Sequence, residues 1–275
     1  MIATRSVHTR TRAGILVLAL ALVGGTGCIT ASIINDVQYK NRMRVAENAH
    51  KQRIAQLTPA AEAGDPVAAT SLARALLYGP GQVAIDQARV YALLSRAADG
   101  GHAPAQALLG ERLVLRSLRR NGSIDTVPNQ AAQDRERGLL LLRQAASAAC
   151  TFITPPDEPW YDSVRPANLL ALELANDKRT DEARLWRARA ALHCGDPTAS
   201  TLSWRAQAKN LTPPDRAEAL ALLLLQNRDA ERIAKATAAL PGEEVAAARR
   251  DAEQLREQIA QSERQYPAPR QKEMY

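Results

Sequence analysis

The chain holds 275 residues with a formal net charge of +7, aromatics at only 4%, and an abundance of alanine and leucine that favours tightly packed helices over sheet. Arg5, Arg10 and Arg12 lie in an opening segment without acids; setting those three apart from the 36 basic residues leaves 33 against 29 acidic ones, a net charge of +4. That balance, with no concentrated basic patch interleaved with aromatics, excludes a dedicated nucleic-acid binder, and Arg116, Arg119 and Arg120 read as a solvated face or loop.

Residues 13–23 form an apolar run too short to span a bilayer, and it reads as the hydrophobic region of a secretory signal. Gly25, Thr26, Gly27 and Cys28 follow. Small residues directly before a cysteine resemble the lipobox at which bacterial prolipoproteins are lipidated and cut, with Gly25 standing where leucine is usual. The resemblance implies that residues 1–27 are a signal peptide. It also implies that Cys28 carries diacylglycerol on its thiol, and one further acyl chain such as palmitate on its amine completes a stable attachment. Ile29 in place of aspartate implies an outer-membrane protein facing the periplasm. An ordinary signal peptide, or an uncleaved anchor, with a chance cysteine is the alternative.

Residues 28–58 are mostly polar, with Val37, Val45, Ile54 and Leu57 only loosely on a helical period, and are expected to be a tether that becomes helical near the first repeat. His50 lies there as an isolated polar residue. From Pro59 a repeat begins. Ala61, Gly64, Pro66, Ala68 and Leu72 return in kind as Ala98, Gly101, Ala103, Ala105 and Leu109, each displaced by 37 residues. Between the copies stand Leu76, Leu77, Tyr78, the turn Gly79-Pro80-Gly81, Asp86, and the apolar series Val90, Tyr91, Leu93, Leu94, Ala97, Ala98. A period in this range signals stacked supersecondary units, and the local pattern is helix, turn, helix with small residues at close approaches. The pattern Gly-x-Gly, Val, Asp, aromatic-rich second helix, Ala-Ala, Gly over residues 60–110 resembles the Sel-one-like repeat, a relative of the tetratricopeptide repeat. Gln82 lengthens the turn by one residue. The resemblance implies an all-α solenoid of stacked antiparallel helix pairs that binds other proteins, with no cofactor and no small-molecule substrate.

The second unit keeps Ala105, Leu108, Leu109 and Gly110 in its first helix, while residues 121–133 are expected to form a long polar loop ahead of Asp134. Gly138, Leu139, Leu141, Leu142, Ala145 and Ala146 then take the places of the earlier second helix at a displacement of 48. Residues 151–166 hold Pro155, Pro156 and Pro159 and cannot continue a helix. Trp160 and Tyr161 beside them either plug the groove between units or anchor a partner. A third pair spans 167–175 and 181–192, with Trp186 as core, and Gly195, Asp196, Pro197 and Ala199 open a fourth. The repeat solenoid thus covers 59–227, capping helices cover 228–265, and 266–275 reads as a flexible tail.

Setting Cys28 aside for lipid leaves Cys150 and Cys194, an even pair in an oxidising compartment. Each follows an Ala-Ala pair in consecutive units. Equivalent points of neighbouring units lie about 10 Å apart, beyond disulfide reach, so a bridge requires the irregular segment after Cys150 to close the gap; two buried free thiols are the alternative. Catalysis is the competing class, because some cysteine-rich members of the repeat family are linked to β-lactam binding or hydrolysis. No lysine has a serine three residues before it. His8, His50, His102 and His193 are scattered rather than clustered for a metal. The expectation is therefore a non-enzymatic protein whose first-helix groove holds an envelope protein, as a scaffold or adaptor in assembly or secretion; a periplasmic immunity lipoprotein that blocks a secreted toxic effector is the second reading.

Overall fold

The computed structural model of the chain describes residues 10–78, 86–120, 128–153, 165–195, 202, 205–270 and 273–274. Within them the protein is all-α: α1 (Arg10–Glu62), α2 (Pro66–Leu77), α3 (Gln87–Asp99), α4 (Ala103–Arg120), α5 (Pro128–Ala148), α6 (Pro166–Asn176), α7 (Thr180–Arg189), α8 (Pro213–Gln226), α9 (Ala230–Ala238) and α10 (Gly242–Ser262). The last turn after α7, Ala190–Cys194, is π-helical. Two dipeptide strands, β1 (Phe152–Ile153) and β2 (Glu273–Met274), pair in parallel.

The chain divides into two compact units, residues 1–55 with 79–84, and residues 56–78 with 85–275. In the first, the expected tether is continuous helix. No glycine or proline interrupts residues 28–58, and the surface pairs Asp36–Lys40 and Glu47–Lys51, both at 2.7 Å, have the acid four residues ahead of the base, the favoured helical order. Lys51 donates to Glu47 and holds its carboxyl below the usual carboxylate range. Among the described residues no helix is long and apolar enough to cross a membrane.

In the second unit, contacts run mainly between chain neighbours: α2 with α3, α3 with α4, α4 with α5, α5 with α6, α6 with α7, and α8 with the π-turn and α10. Leu72, Leu94, Leu109, Leu139, Leu142, Leu170, Leu174 and Leu220 are fully buried along this series. Each contributes roughly 1.5–3 kcal/mol relative to exposure.

The helix ends follow from local chemistry. Asp65 accepts from the N–H groups of Val67 (2.8 Å) and Ala68 (3.0 Å), with Pro66 at the first helical position of α2. Asp86 caps α3 by accepting from Arg89 N–H at 3.0 Å, which gives this signature residue its physical role. Glycines close the preceding helices. Gly64, at φ 98, follows α1, with its N–H donating to the Ala61 carbonyl (3.2 Å) and Asp65 N–H to Ala60 (3.0 Å). Gly101, at φ 84, follows α3 with the same two bonds, to Ala98 (2.9 Å) and from His102 to Ala97 (3.0 Å). This paired 5→2 and 6→1 closure needs a left-handed residue.

Two expectations change, and two further features refine the register. Asp134 lies inside α5, which starts at Pro128, so residues 128–133 are helix where their polarity suggested loop. Proline opens that helix, and the five residues after it include no glycine or further proline to stop it. Trp186 is core as expected, at 3% exposure, and by the Ala-Ala register it stands at the place of buried Leu93. Ala98 and Ala61 precede their glycines by three residues, whereas Ala191 precedes Gly195 by four; the π-turn takes up the added residue. Finally, the expected flexible tail is pinned. Arg270 N–H donates to the Ala148 carbonyl (3.0 Å), Cys150 N–H donates to the Arg270 carbonyl (2.7 Å), and Glu273–Met274 pairs with Phe152–Ile153.

Candidate functional site

The signature positions divide by task. Ala61, Ala68, Leu72, Ala97, Ala98, Ala105 and Leu109 are buried; Gly64 and Gly101 turn the chain and Asp86 caps. Gly110 serves close approach. A side chain at Gly110 would stand 2.9 Å from the Gly138 carbonyl oxygen and from Leu142 Cγ, and one at Gly138 would stand 3.0 Å from the Gly110 carbonyl oxygen. The α4–α5 seam is thus glycine against glycine. Gln106, buried in α4, donates its Nε2 to the Ala98 carbonyl at 3.2 Å and ties that helix to the end of α3. His102 contributes backbone here, its carbonyl accepting from Gln106 N–H at 3.0 Å. Gly79, Gly81, Trp160 and Tyr161 lie outside the described residues, and Cys28 lies within α1.

The chemistry concentrates where the end of α5, the π-turn and the C-terminal segment meet. Cys150 and Cys194 are joined, S–S 2.08 Å and Cα–Cα 5.3 Å, across 44 residues. Cys150 has already left α5, which ends at Ala148, and the π-turn re-aims Cys194, so the spacing of regular helix ends does not apply. Closing a loop of this size stabilises by about 4 kcal/mol in the chain-entropy account. Beside the bridge, His193 Nε2 lies 2.6 Å from Glu263 Oε1 in α10's trailing turn. Gly195, at φ 62, leaves room for Arg228, which donates to the His193 carbonyl at 3.3 Å; a Cβ at Gly195 would collide with the Arg228 guanidinium.

Arg189 is the centre of this corner. It is 2% exposed, and it donates Nη1 to Ser262 Oγ (2.7 Å) and Nη2 to the carbonyls of Tyr266 (2.7 Å) and Pro267 (3.0 Å). Its guanidinium lies 4.9 Å from the centroid of the Trp186 ring, and Tyr266 meets Trp186 edge-on with centroids 5.5 Å apart. Burial pushes the Arg189 guanidinium below its usual value, with the Glu263 carboxylate opposing that shift. Sequence reading missed Arg189, Ser262 and Tyr266; the visible signal was an aromatic-proline pair just past a helix end in a chain poor in aromatics.

A second set missed from sequence is a series of ion pairs between helices. Arg135 of α5 reaches Glu173 (3.1 Å) and Asp177 (2.7 Å), Arg143 reaches Glu182 of α7 (2.6 Å), and Arg216 of α8 reaches Glu244 of α10 (2.6 Å). Arg184 pairs with Asp251. Burial disfavours the charge on Arg135, but its hydrogen bonds and attraction to Asp177 and Glu173 outweigh that and raise its pKa. Among the described residues no group of three or more His, Cys, Asp or Glu side chains is placed to hold a metal ion. Comparison of the chain with protein-family models, curated proteins and solved structures finds no match.

Proposed function

We propose that the chain is a lipid-anchored α-solenoid that serves as a protein-interaction scaffold or adaptor at the periplasmic face of the outer membrane, in envelope assembly or secretion. The observation that carries this reading is that first helices adjoin: α2 meets α4 and α4 meets α6, in addition to the successive contacts from α2 through α7. Such contacts support a reading as stacked antiparallel pairs. The Gly64 and Gly101 corners, 37 residues apart and closed by the same bonds, supply the repeat unit. Val67, Leu115 and Leu172, at 50%, 40% and 57% exposure, are large apolar side chains presented on those same first helices, and they offer anchors for a partner. The anchor rests on Cys28 following Gly25-Thr26-Gly27.

The test combines anchoring and capture. Cys28→Ser abolishes lipid labelling and moves the protein to the soluble periplasmic fraction; attachment that survives makes residues 13–23 the anchor. In membranes holding the lipidated chain, crosslinking followed by mass spectrometry recovers resident envelope proteins. Leu172→Glu on the first-helix face loses them, and recovery unchanged by that substitution refutes this face as the binding surface.

A further inference from the structure

The C-terminal segment is held in an unusual way: the seat is buried and the occupant is not. Arg189, Trp186, Ala149, Cys150 and Phe152 are each 5% exposed or less, whereas Pro267, Ala268 and Arg270 of the segment lie exposed. The segment supplies mainly backbone. Two consecutive carbonyls, of Tyr266 and Pro267, accept from Arg189; one carbonyl three residues later, of Arg270, accepts from Cys150 N–H; and Arg270 N–H donates to Ala148. Among the described residues of the segment, the Tyr266 ring enters the seat edge-on to Trp186, and Arg270 Nε donates to the Ala148 carbonyl at 3.5 Å.

We infer that this corner is a binding site for an extended peptide led by an aromatic-proline pair, and that residues 266–270, with Glu273–Met274 paired to β1, fill it in cis as a displaceable plug. An extended chain that adds alongside β1 gains affinity from backbone bonds and selectivity from one side-chain pocket, which is how strand-addition sites recognise peptides. Proline after the aromatic suits the site, since at that place the seat uses a carbonyl and asks for no N–H. Withdrawal of the tail would take away both carbonyl acceptors of the buried Arg189 Nη2 and the acceptor of the Cys150 amide, leaving Arg189 its bond to Ser262; this is a costly state, so the seat favours refilling. The partner is a segment of another protein with the sequence pattern aromatic, proline, any residue, any residue, then a residue with a free N–H. This inference stands independently of the first-helix face and of the lipid anchor.

The test uses the full chain and a labelled synthetic peptide, residues 265–275. In the wild type the cis tail competes at an effective concentration on the order of millimolar, so the peptide binds weakly. Tyr266→Ala removes the tail's aromatic anchor, and the peptide then binds at least tenfold more tightly by fluorescence anisotropy. The gain disappears when Arg189→Gln is added, and also when the peptide's own tyrosine-proline pair is replaced by alanines. Equal binding to wild type and Tyr266→Ala, or equal binding of a scrambled peptide, overturns the proposal. So does loss of a cooperative thermal transition in Tyr266→Ala, because the tail would then be a fixed part of the core.

Discussion

At the scale of single residues the α4–α5 seam sets two opposing effects against each other. Glycine to alanine inside a helix ordinarily stabilises by about 0.8–1 kcal/mol through reduced backbone freedom. At Gly138 the added methyl would meet Val114 Cγ2 at 2.9 Å and the Gly110 carbonyl oxygen at 3.0 Å, and a backbone carbonyl in a packed helix cannot give way. Overpacking of this kind costs about 1–3 kcal/mol, so Gly138→Ala is expected to destabilise by about 1 kcal/mol net in urea unfolding. Gly242→Ala is the control, since nothing lies within 4 Å of its added Cβ, and it should be neutral or slightly stabilising. If Gly138→Ala stabilises as much as Gly242→Ala, the seam is looser than the distances state.

At the scale of elements, the π-turn Ala190–Cys194 converts a one-residue excess over the Ala98–Gly101 spacing into a covalent link. An added residue in a helix turns everything after it by about 100°, and here that re-aims Cys194 toward Cys150. Deleting Leu192 restores the three-residue spacing seen at Ala98–Gly101 and should leave both cysteines free in a non-reducing thiol assay; a bridge that persists in full would show that the turn is not what aligns them. The sequence made the capped and glycine-closed ends legible because those signals are local. Asp65, Pro66, Gly64, Asp86 and Gly101 each act on backbone within a few residues. The same locality hid the rest. Arg189 meets Tyr266 across 77 residues, and nothing in Tyr-Pro-Ala-Pro marks a partner that far back. Polar residues 128–133 read as loop because polarity alone does not distinguish an exposed helical turn from a connection. The four-residue spacing before Gly195 was visible, but its meaning depends on hydrogen bonding that composition does not encode.

At the scale of the whole molecule, the question is whether the helices share one core or are stacked neighbour on neighbour, and Ala98 separates the two. Ala98 is 3% exposed at the corner between α3 and α4, where its carbonyl accepts from Gln106 and from Gly101 N–H. Ala98→Leu adds three carbons at a buried corner and should cost about 1–3 kcal/mol. Arg96→Ala, on the exposed side of the same helix, should cost less than about 0.5 kcal/mol. In a stack, stability is a sum of unit and nearest-interface contributions, so the loss falls on α2 to α5 and fades along the chain. The disulfide and the tail fasten the end of α5 to the π-turn, and α10 packs on α7 and α8, which together insulate the C-terminal helices from damage at the first corner. Hydrogen exchange on Ala98→Leu should therefore show faster exchange in α3 and α4 with protection in α8 and α10 unchanged. Uniform loss of protection through α10 would mean a single cooperative core, and the first-helix face proposed to hold a partner would lose its structural basis.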